Sequence, residues 1–330
     1  MLSIYEPAVR GLRKVTVIEE EDLHGKAIWL DLYQPTPEEE LRVEKALGID
    51  APSWEDMQEI EVSSRLYTTE AGAIHLTATV LSGTDTERPE SSAVTFILIG
   101  SKLVTLRYTE PRPFATFSTR VQRNGIGYQR AEYVLAGLLD AIIDRVADIL
   151  EQIGSDLDQL SLDVFEHPDM QPTKGRDFQR VLRQVGKLGD LTSKARESLV
   201  SIGRLLGFLN RPQQGSQQRY KPTKEMRARV KTLSRDVQSL TDHSSFLVNK
   251  INFLLDATLG MINIEQNAII KIFSVAAVAF LPPTLIASIY GMNFHQMPEL
   301  DWSFGYPLAI FLMITSAVIP FIYFKRKRWL

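Results

Sequence analysis

The sequence predicts an α+β cytoplasmic domain continued by one long stalk helix and two C-terminal transmembrane helices. Three observations carry this. Residues 272–289 and 305–324 are apolar runs without an acid or a base. At about 18 and about 20 residues, each can cross a hydrocarbon core ~30 Å thick as a helix rising ~1.5 Å per residue. The residues ahead of them hold apolar positions at alternating spacings of three and four, and residues 1–128 hold short β-rich runs broken by turn residues.

A lipid core leaves no water to satisfy the backbone, so both apolar runs are expected to be helical. Lys325-Arg326-Lys327-Arg328 follows the second run, whereas loop 291–304 has no Lys or Arg and carries Glu299 and Asp301. Positive charge stays in the cytoplasm. The C-terminus is therefore expected there and, after two crossings, so is the N-terminal region. Tyr290, Trp302, Tyr306, Tyr323 and Trp329 fall where interfacial aromatic residues collect. The stretch Met1-Leu2-Ser3-Ile4-Tyr5-Glu6-Pro7 has neither the basic region nor the apolar core of a secretory signal. Insertion is expected to rest on the hairpin.

Composition removes several classes. There is no cysteine, hence no disulfide, thiolate metal site or cysteine nucleophile. A net charge of −3 gives no reason to expect nucleic acid as a partner. The five histidines are scattered, and no nucleophile, base and orienter are grouped. An enzyme is not expected.

In chain order, residues 26–32 alternate as a strand closed by Pro35 and Pro37. Thr36 caps a helix over 38–47, and Glu39 three residues on completes a capping box. Residues 74–80, 93–99 and 102–108 are β-rich, with Gly100-Ser101 as a two-residue turn. Glu19-Glu20-Glu21-Asp22 and Glu38-Glu39-Glu40 make an acidic face, read first as solvated surface and second as an attraction for divalent cations.

From Arg130 the period becomes 3.6, through Tyr133, Leu135, Leu138, Leu139, Ile142 and onward to Val164. Pro168 and Pro172 interrupt it, so residues 129–220 read as an antiparallel helical pair. The stalk helix is expected over 221–271, with Pro222 at its start. Val230, Leu233, Val237, Leu240, Ser244, Leu247, Ile251, Leu254, Thr258 and Met261 form a heptad seam. That seam can meet the chain's own preceding helices or copies of itself, and both readings stay open. Continued to Tyr290, the helix would be roughly 100 Å long at ~1.5 Å per residue. The remainder divides into a first membrane helix (272–290), an external loop (291–304), a second membrane helix (305–324) and a basic terminus (325–330). Pro282-Pro283 is expected to loosen the first of these just above Leu281.

The stretch Tyr290-Gly291-Met292-Asn293-Phe294, then Met297-Pro298-Glu299-Leu300, the short second span and the basic terminus resemble the CorA family of divalent-cation (magnesium and cobalt) channels. Gly-Met-Asn alone is a weak signal. At the outer end of the first of two C-terminal spans, after a helix of this length, it is specific. The resemblance implies a funnel-shaped homopentamer in the cell inner membrane, with both termini cytoplasmic and the pore lined by the first membrane helix. It implies passive import of Mg²⁺, with Co²⁺ and Ni²⁺ also carried. Gly291, Met292 and Asn293 resemble the selectivity filter, with Asn293 and the Gly291 carbonyl holding the hydrated ion. Asn267 and Thr284 match polar pore-lining positions, and Ile270, Phe273 and Leu281 match an apolar constriction. Asp256 matches an acid near the cytoplasmic entrance.

Two departures accompany the match. His295 stands where many relatives carry an acid, which leaves Glu299 and Asp301 as the acids of the loop. The family's regulatory acid between subunits falls on Thr232, with Asp236 one turn away, so that site is not placed. A proton-coupled Zn²⁺ transporter of the same family is therefore the alternative, favoured by His295 and opposed by Met292. A membrane-tethered scaffold without a pore is the third reading.

Elementary physics agrees with a pore. Two apolar helices cannot enclose a water-filled path, so several copies must surround a common axis. Mg²⁺ gives up its water reluctantly. A ring of amide and carbonyl oxygens can accept from its first water shell while binding weakly enough for release. Gly291 is expected to allow a sharp turn at the helix end. For Thr284 the bland reading is a hydroxyl bonded to its own backbone.

Overall fold

The computed structural model describes residues 1–8, 11–15, 23, 25–86, 88–124, 127–165, 177–210, 222–293 and 297–327. The chain forms two compact units, Met1–Leu254 and Leu255–Leu330.

Seven strands make one mixed sheet in the first unit: β1 (Leu2–Ala8), β2 (Gly11–Lys14), β3 (Trp29–Tyr33), β4 (Leu66–Thr68), β5 (Ile74–Ser82), β6 (Glu90–Ile99) and β7 (Lys102–Arg107). Their order is β2-β1-β3-β7-β6-β5-β4. The β3–β7 pair is parallel, with Asp31 opposite Thr105 and Tyr33 opposite Arg107, and the other pairs are antiparallel. Gly100 turns β6 into β7 at φ 55°, as the Gly100-Ser101 signal requires.

Successive strand residues face opposite sides, and both sides of this sheet are covered. On one side Ile4, Leu30, Leu32, Ile97, Val104 and Leu106 pack with Val43 of α1 (Pro37–Leu47) and Met57 of α2 (Trp54–Gln58). The Thr36 capping box is complete, with Glu39 N–H donating to Thr36 Oγ1 and Thr36 N–H to Glu39 Oε2. Glu39 also accepts from Leu2 N–H at 3.0 Å, so part of the acidic face is committed to structure. Glu19 to Asp22 lie outside the described residues. The short α3 (Val62–Arg65) leads into β4.

On the other side Trp29 stacks on Tyr5 and meets Phe117 edge-on, and Phe96 stacks on Phe114. Phe114 and Phe117 belong to α4 (Arg112–Asn124). Burying each such ring contributes about 1.5–3 kcal/mol. Gly137, in α5 (Ala131–Phe165), is needed for close approach: a Cβ there would lie 2.5 Å from both Phe117 Cε2 and Tyr128 Cε1.

Three long helices follow one another. After α5 come α6 (Phe178–Asn210) and α7 (Lys224–Tyr290). Asp163 pairs with Arg180 near the connection between α5 and α6, which turns α6 back on α5. A Cβ on Gly203 would touch Val237 at 3.4 Å, and one on Gly189 would touch Ile251 at 3.8 Å. The partner numbers rise as the α6 numbers fall, so α7 runs antiparallel to α6. Against α5 it runs parallel: Tyr133 bonds Thr223, Gly154 faces Leu247, and Asp158 pairs with Lys250. Val230, Leu233, Val237, Ser244, Leu247, Ile251 and Leu254 are buried within the chain. Up to Leu254, the heptad seam belongs to this internal bundle.

Candidate functional site at the membrane hairpin

The second unit holds the end of α7, a 3-10 turn (Pro298–Asp301) and α8 (Gly305–Arg326). Helices α7 and α8 are long and apolar enough to cross a membrane. Their large side chains are exposed: Phe273 71%, Phe280 73%, Leu281 66%, Phe311 63%. That pattern suits a surface solvated by lipid or by further copies.

Helix α7 stays helical through Pro282 and Pro283. The two prolines lack N–H, so the carbonyls of Val278 and Ala279 lose their helical donors. Thr284 Oγ1 donates to Phe280 O at 2.7 Å. The backbone-bonded hydroxyl and a pore-facing position are compatible here. Thr284 is exposed, and its committed proton leaves only lone pairs to present outward.

On an α-helix advancing 100° per residue, Asp256, Asn267, Ile270, Phe273, Leu281, Thr284 and Gly291 fall within an arc of about 120°. All of them are exposed. The opposite side carries Val275, Ala279 and Pro283. Ala279 and Pro283 on that side, with Phe280 at the border of the candidate arc, share an apolar cavity of about 480 Å³ with Met313, Ile314, Ala317 and Phe321 of α8. The candidate face thus looks away from the second membrane helix. Ser288 joins it, a residue that sequence reasoning leaves without a role. Its position four residues beyond Thr284 is the signal.

At the end of α7, Gly291 N–H donates to Ala287 O at 2.9 Å and Met292 N–H to Ile289 O at 3.3 Å. Gly291 is not among the glycines with positive φ. The reason for glycine is steric: a Cβ here would lie 3.1 Å from Ala287 O. Gly291 lets the last turn close tightly and keeps the carbonyl region unshielded. Met292 and Asn293 follow, both exposed.

Glu299 sits in the turn Pro298–Asp301, while His295 lies outside the described residues. Tyr306 and Tyr323, toward the two ends of α8, are 79% and 58% exposed, as interfacial rings would be. In the first unit Thr232 is exposed and donates to Ala228 O. Burial pushes the Asp144 carboxyl above its ordinary range, reinforced by Asp140, Asp148 and Asp236, with Arg120 opposing. Among the described residues no three His, Asp or Glu side chains are grouped to hold a metal ion.

Comparison with known proteins places these features in a lineage. The family model described as "CorA-like Mg2+ transporter protein" matches residues 24–326. The chain is 37% identical over 330 residues to the magnesium transport protein CorA of Escherichia coli (strain K12), covering 100% of both chains. It has the same identity and coverage with the magnesium transport protein CorA of Salmonella typhimurium. The complete structure of the CorA magnesium transporter from Methanocaldococcus jannaschii superposes with a TM-score of 0.76 at 21% identity, covering 100% of this chain and 99% of that one. A mixed-sheet region, a long helix whose end is apolar enough to cross a membrane and a short apolar second helix make up this fold; the chain belongs to the CorA-like Mg²⁺ transporter family.

Proposed function

We propose that five copies of this chain surround a pore lined by α7 and conduct Mg²⁺ passively into the cytoplasm across the cell inner membrane. The observation that carries this reading is the single face of α7 on which the candidate residues gather, opposite the face that shares a cavity with α8. In a ring of copies the α8-facing side turns outward and the candidate face turns toward the axis.

The roles follow from chemistry. Asn293 amide oxygens and Gly291 carbonyls form the outer ring and accept hydrogen bonds from the water shell of Mg²⁺, which sheds water reluctantly. Neutral acceptors hold a dication weakly enough to release it. Met292 completes the filter. Thr284 and Asn267 offer further acceptors along the path, and Ile270, Phe273 and Leu281 form an apolar collar able to close by dewetting. Asp256 lines the cytoplasmic side, and Glu299 and His295 lie at the outer mouth. Inward flow uses the membrane potential, worth ~2.3 kcal/mol per charge per 100 mV and about twice that for a dication. Lys325, Arg326 and Lys327 keep both termini cytoplasmic. The same weak, water-mediated filter would pass Co²⁺ and Ni²⁺. Nothing in this arrangement calls for enzymatic chemistry.

The test is cation uptake into proteoliposomes, wild type beside Asn293→Ala, with Mg²⁺ or Zn²⁺ outside and with or without a pH gradient. Mg²⁺ uptake that depends on Asn293 and ignores the gradient is expected. Mg²⁺ uptake unchanged in Asn293→Ala would refute the filter. Zn²⁺ uptake that rises with the proton gradient would transfer the chain to zinc transport.

A further inference from the structure

We propose that a cleft in the first unit, between α3, the β5–β6 edge and α6, binds a magnesium-complexed nucleoside polyphosphate. The cleft has a volume of about 550 Å³, within the ~300–1,000 Å³ of small-molecule sites. Its walls carry Arg65, Arg196 and Arg204, with Ser91, Ser193 and Ser201 between them.

The sheet creates the opening. Strand β4 pairs with β5 only from Leu66 to Thr68, opposite Leu76 to Ile74. Beyond that point the edge of β5 has no strand beside it. Thr79 N–H instead donates to Ser201 Oγ of α6 at 2.9 Å. The result is a notch in the sheet edge, bordered by a helix.

Three guanidinium groups converge there without matching carboxylate partners. Arg196 and Arg204 have no ion-pair partner within 4 Å among the described residues. They are eight residues apart on α6 and so share its face. Arg65 Nη2 donates to Thr79 Oγ1 at 3.2 Å, while its Nε is buried with no acceptor among the described residues. Burial lowers the pKa of Arg65; Glu197 opposes that effect and the Arg204 charge adds to it. An orphaned buried N–H beside two unpaired guanidiniums calls for an anion with several acceptor oxygens. Phosphate matches the arginine fork in geometry and charge.

Glu59 and Glu197 also line the cleft, so three arginines and two carboxylates leave a net charge of +1. Glu197 Oε2 accepts from Ser91 Oγ at 3.5 Å. Carboxylates beside phosphate-binding arginines suit a polyphosphate that brings Mg²⁺, which is held by one or two carboxylates together with phosphate oxygens. Ile60, Val200 and Val248 supply apolar wall for a base.

The experiment is calorimetric titration of the full chain in detergent micelles with MgATP, magnesium tripolyphosphate or inorganic phosphate. Saturable MgATP binding is expected, weakened at least tenfold in the double variant Arg196→Gln/Arg204→Gln. Both arginines are exposed, so their replacement spares the core. Arg183→Gln, on the same helix outside the cleft, should bind as wild type does. Absence of saturable heat at millimolar MgATP would overturn the proposal, as would unaltered binding by the double variant or equal weakening by Arg183→Gln. Inorganic phosphate binding as tightly as MgATP would overturn the assignment to a nucleoside polyphosphate. Tripolyphosphate binding more weakly than MgATP would support the apolar wall's part in holding a base.

Discussion

Arg107 grips Asp31 with two parallel hydrogen bonds, Nη2 to Oδ2 at 2.9 Å and Nε to Oδ1 at 3.1 Å, across the parallel β3–β7 pair. Both side chains are 8% exposed. Asp31 Oδ1 also accepts from Thr105 Oγ1–H at 2.7 Å, and Thr105 Oγ1 accepts from Trp29 Nε1–H at 3.0 Å. The guanidinium lies 4.4 Å from the Tyr33 ring centre and 4.7 Å from that of Phe114. This network fixes the register of the only parallel strand pair in the described sheet.

Removing one partner leaves the other as an unpaired buried charge. Asp31→Ala should therefore lower stability by about 3–5 kcal/mol, and replacing both residues with apolar ones of similar volume should lower it less. Denaturant unfolding of the detergent-solubilised protein measures both. A loss under about 1 kcal/mol for Asp31→Ala would mean the pair behaves like a surface salt bridge.

His75 gives the protein an acid limit. It is 1% exposed, stacked on Tyr67 with ring centres 4.6 Å apart, and neither ring nitrogen has a hydrogen-bond partner among the described residues. Burial lowers its pKa to about 4, with Asp50 opposing the shift. The unfolded chain, at ~6.5, takes up the proton first. The stabilising contribution is thus complete above about pH 6.5 and is lost as pH falls toward 4. His75→Phe keeps the stack and removes the proton, so the stability difference between variant and wild type should change across that window. A difference that stays level from pH 7 to pH 4 would contradict the assignment.

Thr284 separates a structural hydroxyl from a conducting one. With its proton on Phe280 O, the oxygen can only accept, which suits the outward-pointing hydrogens of a hydrated cation. Thr284→Val keeps the shape and removes the acceptor, and should reduce Mg²⁺ uptake by roughly tenfold. Thr284→Ser should retain it. Equal uptake by the valine and wild-type proteins would reduce the hydroxyl to a helix-packing group.

Much of this was legible in the chain because it is local. The Thr36–Glu39 box, the Gly100-Ser101 turn and the uncharged runs each declare themselves within a few residues. Helix α7 is readable from Pro222 to Tyr290 because no proline interrupts it before Pro282. Helix α4 escapes the sequence reading although Phe114, Phe117 and Val121 mark its buried face, because the residues around them are polar. Strands β1 and β2 escape for another reason: Pro7 and the Gly-Leu-Arg-Lys of β2 carry little β propensity, and pairing of β1 with β3 and of β2 with β1 overrides it. Long-range relations were out of reach. Nothing at Asp31 announces Arg107, and nothing at Arg65 announces Arg204. At Gly291 the need for a missing Cβ was readable, but not that Ala287 O is the atom it would meet.

Proline in tandem has a mechanical meaning for α7. Most helices resist bending because hydrogen bonds must stretch or break on the side that opens. At Pro282-Pro283 two of those bonds are already missing, beside Leu281 and just below Thr284. The helix can hinge there with little further loss of bonding. In the proposed ring of copies, a small tilt of the outer segment would change the spacing between Leu281 side chains, while the Asn293 end moves with it. Elastic compliance is thereby concentrated beside Leu281, the residue proposed for the apolar collar.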